Sequence, residues 1–354
     1  MKGFKRFFHH RFFVKLFNWE YWSFGAIYGL IYPVWFFLGL RARSFFFFSA
    51  SNPLIKNGGL LNESKKEIAQ LIPLKFQPKT SFFSLPANPD IVLKELAKQG
   101  LEFPLVGKPD VGGRGRGVKA LKDEDDVRDF LKLVSMDFHI QEYVAYKNEI
   151  GLFYYRYPDE PNGHISGIVR KEFLSVKGDG QKTIWELLLM NKRALVYLKD
   201  LERIHKETMD LVLPVNEVRI VSPYGNHARG SMFLDDTSLV DQELTETMDS
   251  ICKQIPEFYF GRLDIRFDNW EDLKKGRKFC IIEVNGAGAE PTHMYDPRHS
   301  LFFAWKEIIK HWVILWRVSV RNHKRGVPYM SMREGFQMFS EDKEWSRRLD
   351  AMKE

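Results

Sequence analysis

Asp264, Glu283 and Asn285 fall within one stretch, residues 258–295, FYFGRLDIRFDNWEDLKKGRKFCIIEVNGAGAEPTHMY. Two carboxylates and an amide oxygen are hard ligands, the kind Mg²⁺ takes when it also holds substrate phosphates; Mn²⁺ is the alternative ion. Glu283 and Asn285 are two apart, so they share a face of any strand that carries them. Arg262, two before Asp264, would project beside it, and a guanidinium there suits the oxyanion of an acyl transfer. The elements that must position this set are two strands, over 258–267 and 279–284, joined by a polar turn over 269–278. Such a hairpin brings Asp264 beside Glu283 and Asn285. A surface hairpin with scattered charges would look alike, so the meaning of the cluster depends on what the rest of the chain supplies.

The second chemical signal is LEFPLVGKPDVGGRGRGVKAL, residues 101–121. A strand over 103–108 ends on Lys108, a flexible loop follows over 112–117, and another strand starts at Val118. Glycines let backbone N–H groups close over phosphates, which makes Gly112, Gly113 and Gly115 candidates, with charge added by Arg114 or Arg116. No G-K-[ST] ends the loop and no helix follows it, so it is neither a P-loop nor a dinucleotide fingerprint. Helices are expected over 64–71, 90–98 (stopped by Gly100) and 123–134, and strands over 45–48 and 78–83. Residues 140–144, IQEYV, form a strand and hinge. Residues 150–157 and 165–173 form an antiparallel pair around Pro161-Asn162-Gly163, and Thr183 with Glu186 makes a capping box.

The order and spacing of these parts resemble the ATP-grasp superfamily over residues 62–296. The parts are Lys108-Pro-x-x-Gly-Gly-x-Gly-x-Gly between strands, the 141–144 hinge, Lys171, Arg262-x-Asp264 and Glu283-x-Asn285. The pattern is closest in form to D-alanine–D-alanine ligases and cyanophycin synthetases, and the strand–GDG–Thr–helix run ending at Thr183 is most like the latter. The resemblance implies an α+β fold with two lobes clasping ATP. It puts Lys108 and the glycine loop at the phosphates, Gln141 and the backbone of Glu142 and Val144 at adenine, Glu149 at the ribose, and Lys171 near the phosphates. Lys65, with Lys66 next to it, matches a lysine that reaches the phosphates from a neighbouring helix. His227 and Arg229, in the loop SPYGNHAR, match the region facing the acceptor substrate. The implied chemistry is ATP- and Mg²⁺-dependent joining of a carboxylate, through an acyl phosphate, to an amine. Two rivals remain: a kinase that stops at phosphoryl transfer with the same metal residues, and a non-catalytic, nucleotide-dependent membrane scaffold, which the complete ligand set disfavours because binding alone needs no such cluster. No side chain stands out as a general base. About fifty residues replace the full N-terminal domain usual in the family, which leaves the acid and the amine unnamed.

At 354 residues the chain allows two or three compact units. The expected division is a membrane-associated segment over 1–43, a shortened unit over 44–98, the ATP-grasp domain over 99–300 and a helical tail over 301–354. Cys252 and Cys280 are the only cysteines, which fits a reducing compartment rather than a disulfide framework. The net charge of +7 sits at the ends: +6 over 1–43, +4 over 301–354 and −3 between them. That distribution argues against a broad nucleic-acid surface and for a membrane contact at the ends. Residues 1–18 place Phe4, Phe7, Phe8, Phe12, Phe13, Leu16 and Phe17 at helical spacing among Lys5, Arg6 and Lys15. This is a basic amphipathic helix for a membrane interface, or else one docked on the protein. Residues 21–40 carry no charge and are long enough to span a bilayer, but contain glycines and Pro33. A span would export the basic residues before it against the positive-inside tendency, so a segment that breaks near Pro33 and returns is expected on the cytoplasmic face. A single span and a packed soluble core are the alternatives. Substrates are then small molecules or lipid-linked compounds. A helix over 301–320 and a charged surface helix in the last twenty residues complete the chain; its oligomeric state is left open.

Overall fold

The structure is a computed structural model and describes residues 11–113, 115–222 and 225–352, the side chain of Ala228 excepted. The readings of residues 4–10, Arg114, Pro223 and Tyr224 fall outside the described residues. The first lobe is a four-stranded antiparallel sheet of β1 (Thr80–Phe83), β2 (Leu105–Pro109), β3 (Lys119–Leu121) and β4 (Phe138–Glu142), in the order β1-β4-β2-β3. Its helices Pro89–Lys98 and Glu124–Leu133 start where Asn88 and Asp123 accept the free N–H groups of the first turn. They cover one face through Val92, Leu96, Val127 and Phe130, packed on Leu105, Leu121 and Ile140. Alternation along β2 buries Leu105 and turns Lys108 to the other face.

The second lobe is larger. Strands β5 (Asn148–Arg156), β6 (Gly163–Glu172), β7 (Leu174–Lys177), β8 (Val218–Ser222), β9 (Met232–Asp235), β10 (Phe260–Phe267) and β11 (Phe279–Asn285) follow in the chain. Five of them form an antiparallel sheet in the order β11-β10-β5-β6-β9, while β7 and β8 pair beside helices Ile184–Met190 and Lys192–His205. Thr183 and Glu186 form the expected capping box. One face of the large sheet buries Ile150, Leu152, Leu263, Ile265 and Phe267 against helices Gln242–Cys252 and Lys65–Leu71. The opposite face carries Glu149, Arg262, Asp264 and Arg266, by period two. The hairpin β10–β11 forms, but the link between its strands contains a short helix, Trp270–Lys274, capped by Asn269, rather than a turn throughout. A bulge interrupts the pairing: Asp264 opposes Glu283, yet Ile265 opposes Ile281, so Ile282 is the extra residue. Without it Ile281 and Glu283 would share a face. With it Ile281 enters the core and Glu283 joins Asp264 on the other side.

At the N-terminus the expected break near Pro33 is present. Residues 21–40 are broken before Pro33, between helices Phe24–Tyr28 and Tyr32–Ala42; Pro33 sits in the first turn of the second, where its missing N–H costs nothing. Among the described residues no helix is long and apolar enough to cross a membrane. Instead Ile27, Tyr28 and Ile31 pack on Ala304 and Ile308 of helix Leu301–Lys324. Residues 45–48 are not a strand: a 3-10 turn, Phe47–Ala50, buries Phe46, Phe47 and Phe48 in succession between the second-lobe sheet and that helix, which alternation could not do. Residues 44–98 distribute over three cores, through Phe47, Ile68 and Val92. The last helix, Met332–Ala351, is not only a surface element. Met338 belongs to the second-lobe core and Leu349 to that of the first, so the helix straps the two together.

Candidate functional site

Alternation on three neighbouring strands builds a row of alternating charge. Arg266 donates to Glu149 (Nε to Oε2, 3.0 Å), Lys171 lies 3.0 Å from both Glu149 and Asp264, and Arg262 donates to Asp264 (Nε to Oδ1, 2.8 Å). The register explains the row: Arg266 opposes Glu149, and Asp264 opposes Gly151 on the same strand. All five side chains are largely buried. Burial alone would raise the Asp264 carboxyl, but Arg262 and then Lys171 outweigh it and hold the group well below the usual carboxylate range. Burial likewise opposes charge on Lys171 and Arg262, yet Asp264 keeps both more firmly protonated than usual. Gly225 closes against Glu149: a Cβ there would lie 2.0 Å from Oε1, so a larger residue would displace this carboxylate from the row.

The first lobe supplies the facing wall. Lys108 donates to Oε1 of Gln141 (2.8 Å), whose amide donates to Thr80. Burial pulls the Lys108 pKa down to about 8, against the attraction of Glu283. Lys65 donates to the carbonyls of Gly112 (2.5 Å) and Asp110 (3.4 Å), so it braces the glycine loop from behind. Gly112 has φ +129, and a Cβ there would meet Leu349 at 2.6 Å. Gly113 and Gly115 line the same cavity. At the hinge, Glu142 exchanges hydrogen bonds with Lys79, and the Val144 carbonyl accepts from Arg266 (2.8 Å). One cavity of about 1500 Å³ joins Lys108, the glycine loop, Glu149, Lys171, Arg262, Asp264, Glu283 and Asn285.

Asp264 opposes Glu283 and Arg262 opposes Asn285 across the hairpin, so the three candidate metal ligands share one face. Among the described residues no three His, Cys, Asp or Glu side chains converge as a metal site. Two carboxylates and one amide fit a Mg²⁺ that takes its remaining ligands from phosphate and water. Nδ2 of Asn285 is buried without a hydrogen-bond partner, so no bond of its own holds the amide in its present orientation. His227 and Arg229 are engaged by other parts of the chain. His227 pairs with Glu20 (2.9 Å), which Arg193 also holds (2.6 Å), and Arg229 donates to the Gly115 carbonyl (2.7 Å). His227 still lines the cavity.

Three functional candidates escaped the sequence. Arg266 lies two beyond Asp264, so the alternation that named Arg262 also pointed to it. Glu63 lines the cavity, and burial raises its carboxyl, with Glu283 and Asp342 adding to the effect. Glu290 accepts from Tyr28 (2.6 Å) and Tyr295 (3.3 Å), while its backbone carbonyl accepts from Arg262 (3.3 Å). No periodicity signals a contact made across 262 residues.

No family profile and no curated protein matches the chain. Among solved structures it is similar to D-alanine–D-alanine ligase from Bacillus anthracis, at 17% identity over 76% of this chain and 71% of that one, with a TM-score of 0.44. It is also similar to the VanG D-Ala:D-Ser ligase from Enterococcus faecalis, at 14% identity over 72% and 61%, TM-score 0.41. A third is the bifunctional glutathione synthetase from Pasteurella multocida, at 16% identity over 69% and 35%, TM-score 0.36. The chain thus spans about a third of the glutathione synthetase and less than two thirds of the VanG ligase. At these values the likeness assigns neither a family nor an activity to this chain.

Proposed function

We propose that this protein is an ATP- and Mg²⁺-dependent ligase that activates a carboxylate as an acyl phosphate and joins it to an amine, with release of ADP. The observation that carries the reading is the buried charge row from Arg266 to Arg262, facing Lys108 and a glycine loop across one cavity. Five buried ionic groups in such a row are a poor route to stability, which favours a role in binding charge. Lys108 and Lys171 hold the triphosphate, the loop of Gly112, Gly113 and Gly115 covers it, and Glu149 keeps lone pairs for ribose hydroxyls. The Val144 N–H and Gln141 flank the adenine. Mg²⁺ on Asp264, Glu283 and Asn285 would offset charge on the bridging phosphate oxygens. Arg262, beside the reacting acyl group, stabilises the oxyanion formed when the amine attacks.

The acid or the amine carries an apolar body, and a lipid-linked substrate fits. The same cavity is also walled by Tyr32, Trp35, Phe36, Phe45, Phe336 and Phe339. Phe36 and Phe37 are more than half exposed on helix Tyr32–Ala42, near Arg41 and Arg43, which supports seating the enzyme on the cytoplasmic membrane face. The test uses the purified full chain with ATP, Mg²⁺ and panels of amino acids, peptides and lipid-linked acids, read by ADP release and product mass. A new amide supports ligation. A phosphorylated acid with no amide would show a kinase, and nucleotide binding without ADP would show a scaffold.

A further inference from the structure

We infer that Glu290 is the binding group for the attacking amine, taken as an ammonium, and the acceptor of its proton; this deepens the ligase reading and rests on it. Glu290 is partly buried and lines the cavity beside Arg262, whose Nη1 donates to its backbone carbonyl at 3.3 Å. Its Oε1 accepts from two neutral donors, the Tyr28 hydroxyl at 2.6 Å and the Tyr295 hydroxyl at 3.3 Å. Burial, and then Glu290 itself, push the Tyr28 hydroxyl well above its ordinary range, so it stays protonated and donates. Both bonds fall on one oxygen. Among the described residues Oε2 has no hydrogen-bond partner, and no salt bridge joins the side chain to a cation, although every carboxylate in the nearby charge row has one.

The nearby Arg262 guanidinium attracts this carboxylate without forming an ion pair with it, so a carboxylate that neutral groups orient is left to receive a second cation. The place of Glu290 next to Arg262 fixes which one. The guanidinium marks where the acyl oxygen gathers charge, so a group held by Oε2 lies within reach of the acyl carbon. An amine arrives as R–NH₃⁺ at neutral pH and cannot attack in that form. Transfer of one N–H proton to Glu290 frees the nitrogen lone pair. The C–N bond then forms, the C–O bond to phosphate breaks, and phosphate leaves with that electron pair. The second N–H proton goes to the released phosphate or to water. This supplies the general base that the strand pattern did not reveal. Tyr28 and Tyr295 are positioning residues, because they act through Glu290.

The test compares wild type with Glu290→Gln and Tyr28→Phe, using two nucleophiles and any acid of the panel that supports ADP release. One is the amine substrate found by product mass. The other is hydroxylamine, which is neutral at neutral pH and needs neither an ammonium site nor a base. Glu290→Gln keeps acceptors for both tyrosines, and its ATP-analogue affinity checks that the nucleotide site is intact. The expected result is that KM for the amine rises about tenfold or more and kcat falls, while hydroxamate forms at the wild-type rate. Tyr28→Phe raises KM for the amine with a smaller effect on kcat. Equal loss with both nucleophiles would make Glu290 a structural residue and overturn the inference, and so would wild-type kinetics with the amine. If wild type itself forms no hydroxamate with any acid, the ligase reading falls, and this inference with it.

Discussion

Asp264 forms ion pairs with two cations, whereas among the described residues Glu283 forms none and acts on Lys108 and Arg262 only at longer range, and that difference decides what each loss does. Asp264→Asn leaves Arg262 and Lys171 buried with one counter-charge fewer, at a cost on the order of 3–5 kcal/mol in denaturant unfolding. Glu283→Gln unfolds near wild type. Both lose Mg²⁺-dependent ADP release, because each removes a carboxylate from the candidate metal set. Equal stability of the two variants would mean that the row does not hold the buried cations, and near-normal turnover in both would remove the metal assignment. Lys108 makes a prediction in pH. Its folded pKa of about 8 lies below the roughly 10.4 of an unfolded lysine, so the unfolded chain binds more protons between those values. Stability therefore rises with pH across that window. Affinity for a non-hydrolysable ATP analogue moves the other way, falling by up to about tenfold per pH unit above about pH 8, because phosphate prefers the ammonium. In Lys108→Arg calorimetry should find both slopes gone; a slope that persists belongs to another group. At this scale the sequence exposed residues whose neighbours lie two positions away, such as Arg262 and Asp264. It could not expose Glu290, whose partner Tyr28 comes from the opposite end of the chain.

Elements were legible where one local signal sufficed. Thr183 and Glu186 marked the start of the helix that follows them, the Pro161-Asn162-Gly163 turn marked β5 and β6, and apolar alternation marked β10. Signals failed where packing set the conformation. The Phe46–Phe48 run reads as a buried strand, but a 3-10 turn lets three adjacent rings enter one core. The bulge at Ile282 has no signature in sequence, yet it lets Ile281 face the core while Glu283 faces the cavity. The last helix reads as charged surface because only one narrow side is apolar, and that side reaches both lobes. Leu349 is almost fully buried in the first-lobe core and touches the place where a Gly112 side chain would stand. Arg116 adds an ion pair to Asp350 on the same helix. Leu349→Ala should cost about 2–5 kcal/mol. It should also weaken ATP-analogue binding, because the glycine loop loses its backing. Met338→Ala, at the other end of the strap, should cost similar stability while sparing that affinity. If both variants weaken nucleotide binding equally, the strap acts only through overall stability.

At the scale of the whole molecule the candidate cavity adjoins exposed apolar side chains of the N-terminal segment, such as Phe36, which lines it. The cavity is lined by the charge row and by Phe36 and Phe45, and Leu30, in the turn before helix Tyr32–Ala42, and Phe37 and Leu40, on that helix, are absent from its lining and each more than half exposed. Arg11, Lys15, Arg41 and Arg43 accompany them. The sequence could show that this region is apolar and basic, but not that its inner side is part of the core, because that depends on contacts with helix Leu301–Lys324. Removing residues 1–43 would therefore strip Ile27, Tyr28, Ile31 and Leu38 from packed clusters and confuse loss of fold with loss of binding. Substitution on the exposed side avoids this. A Leu or Phe moved from water into lipid gains about 1.5–3 kcal/mol, and each basic residue near an anionic surface adds about 1 kcal/mol. The triple change Leu30→Ser, Phe37→Ser, Leu40→Ser should keep the wild-type melting temperature and abolish flotation with vesicles of phosphatidylcholine and phosphatidylglycerol. Wild type should float with these vesicles at low salt, less at high salt, and poorly with phosphatidylcholine alone. ADP release should be unchanged in the triple variant if the substrate is soluble, and should fall if it is lipid-borne. Wild type that stays in the soluble fraction at low salt, or a triple variant that floats as wild type does, would remove the membrane surface from the account of this protein and leave the aromatic wall of the cavity to serve a soluble apolar substrate.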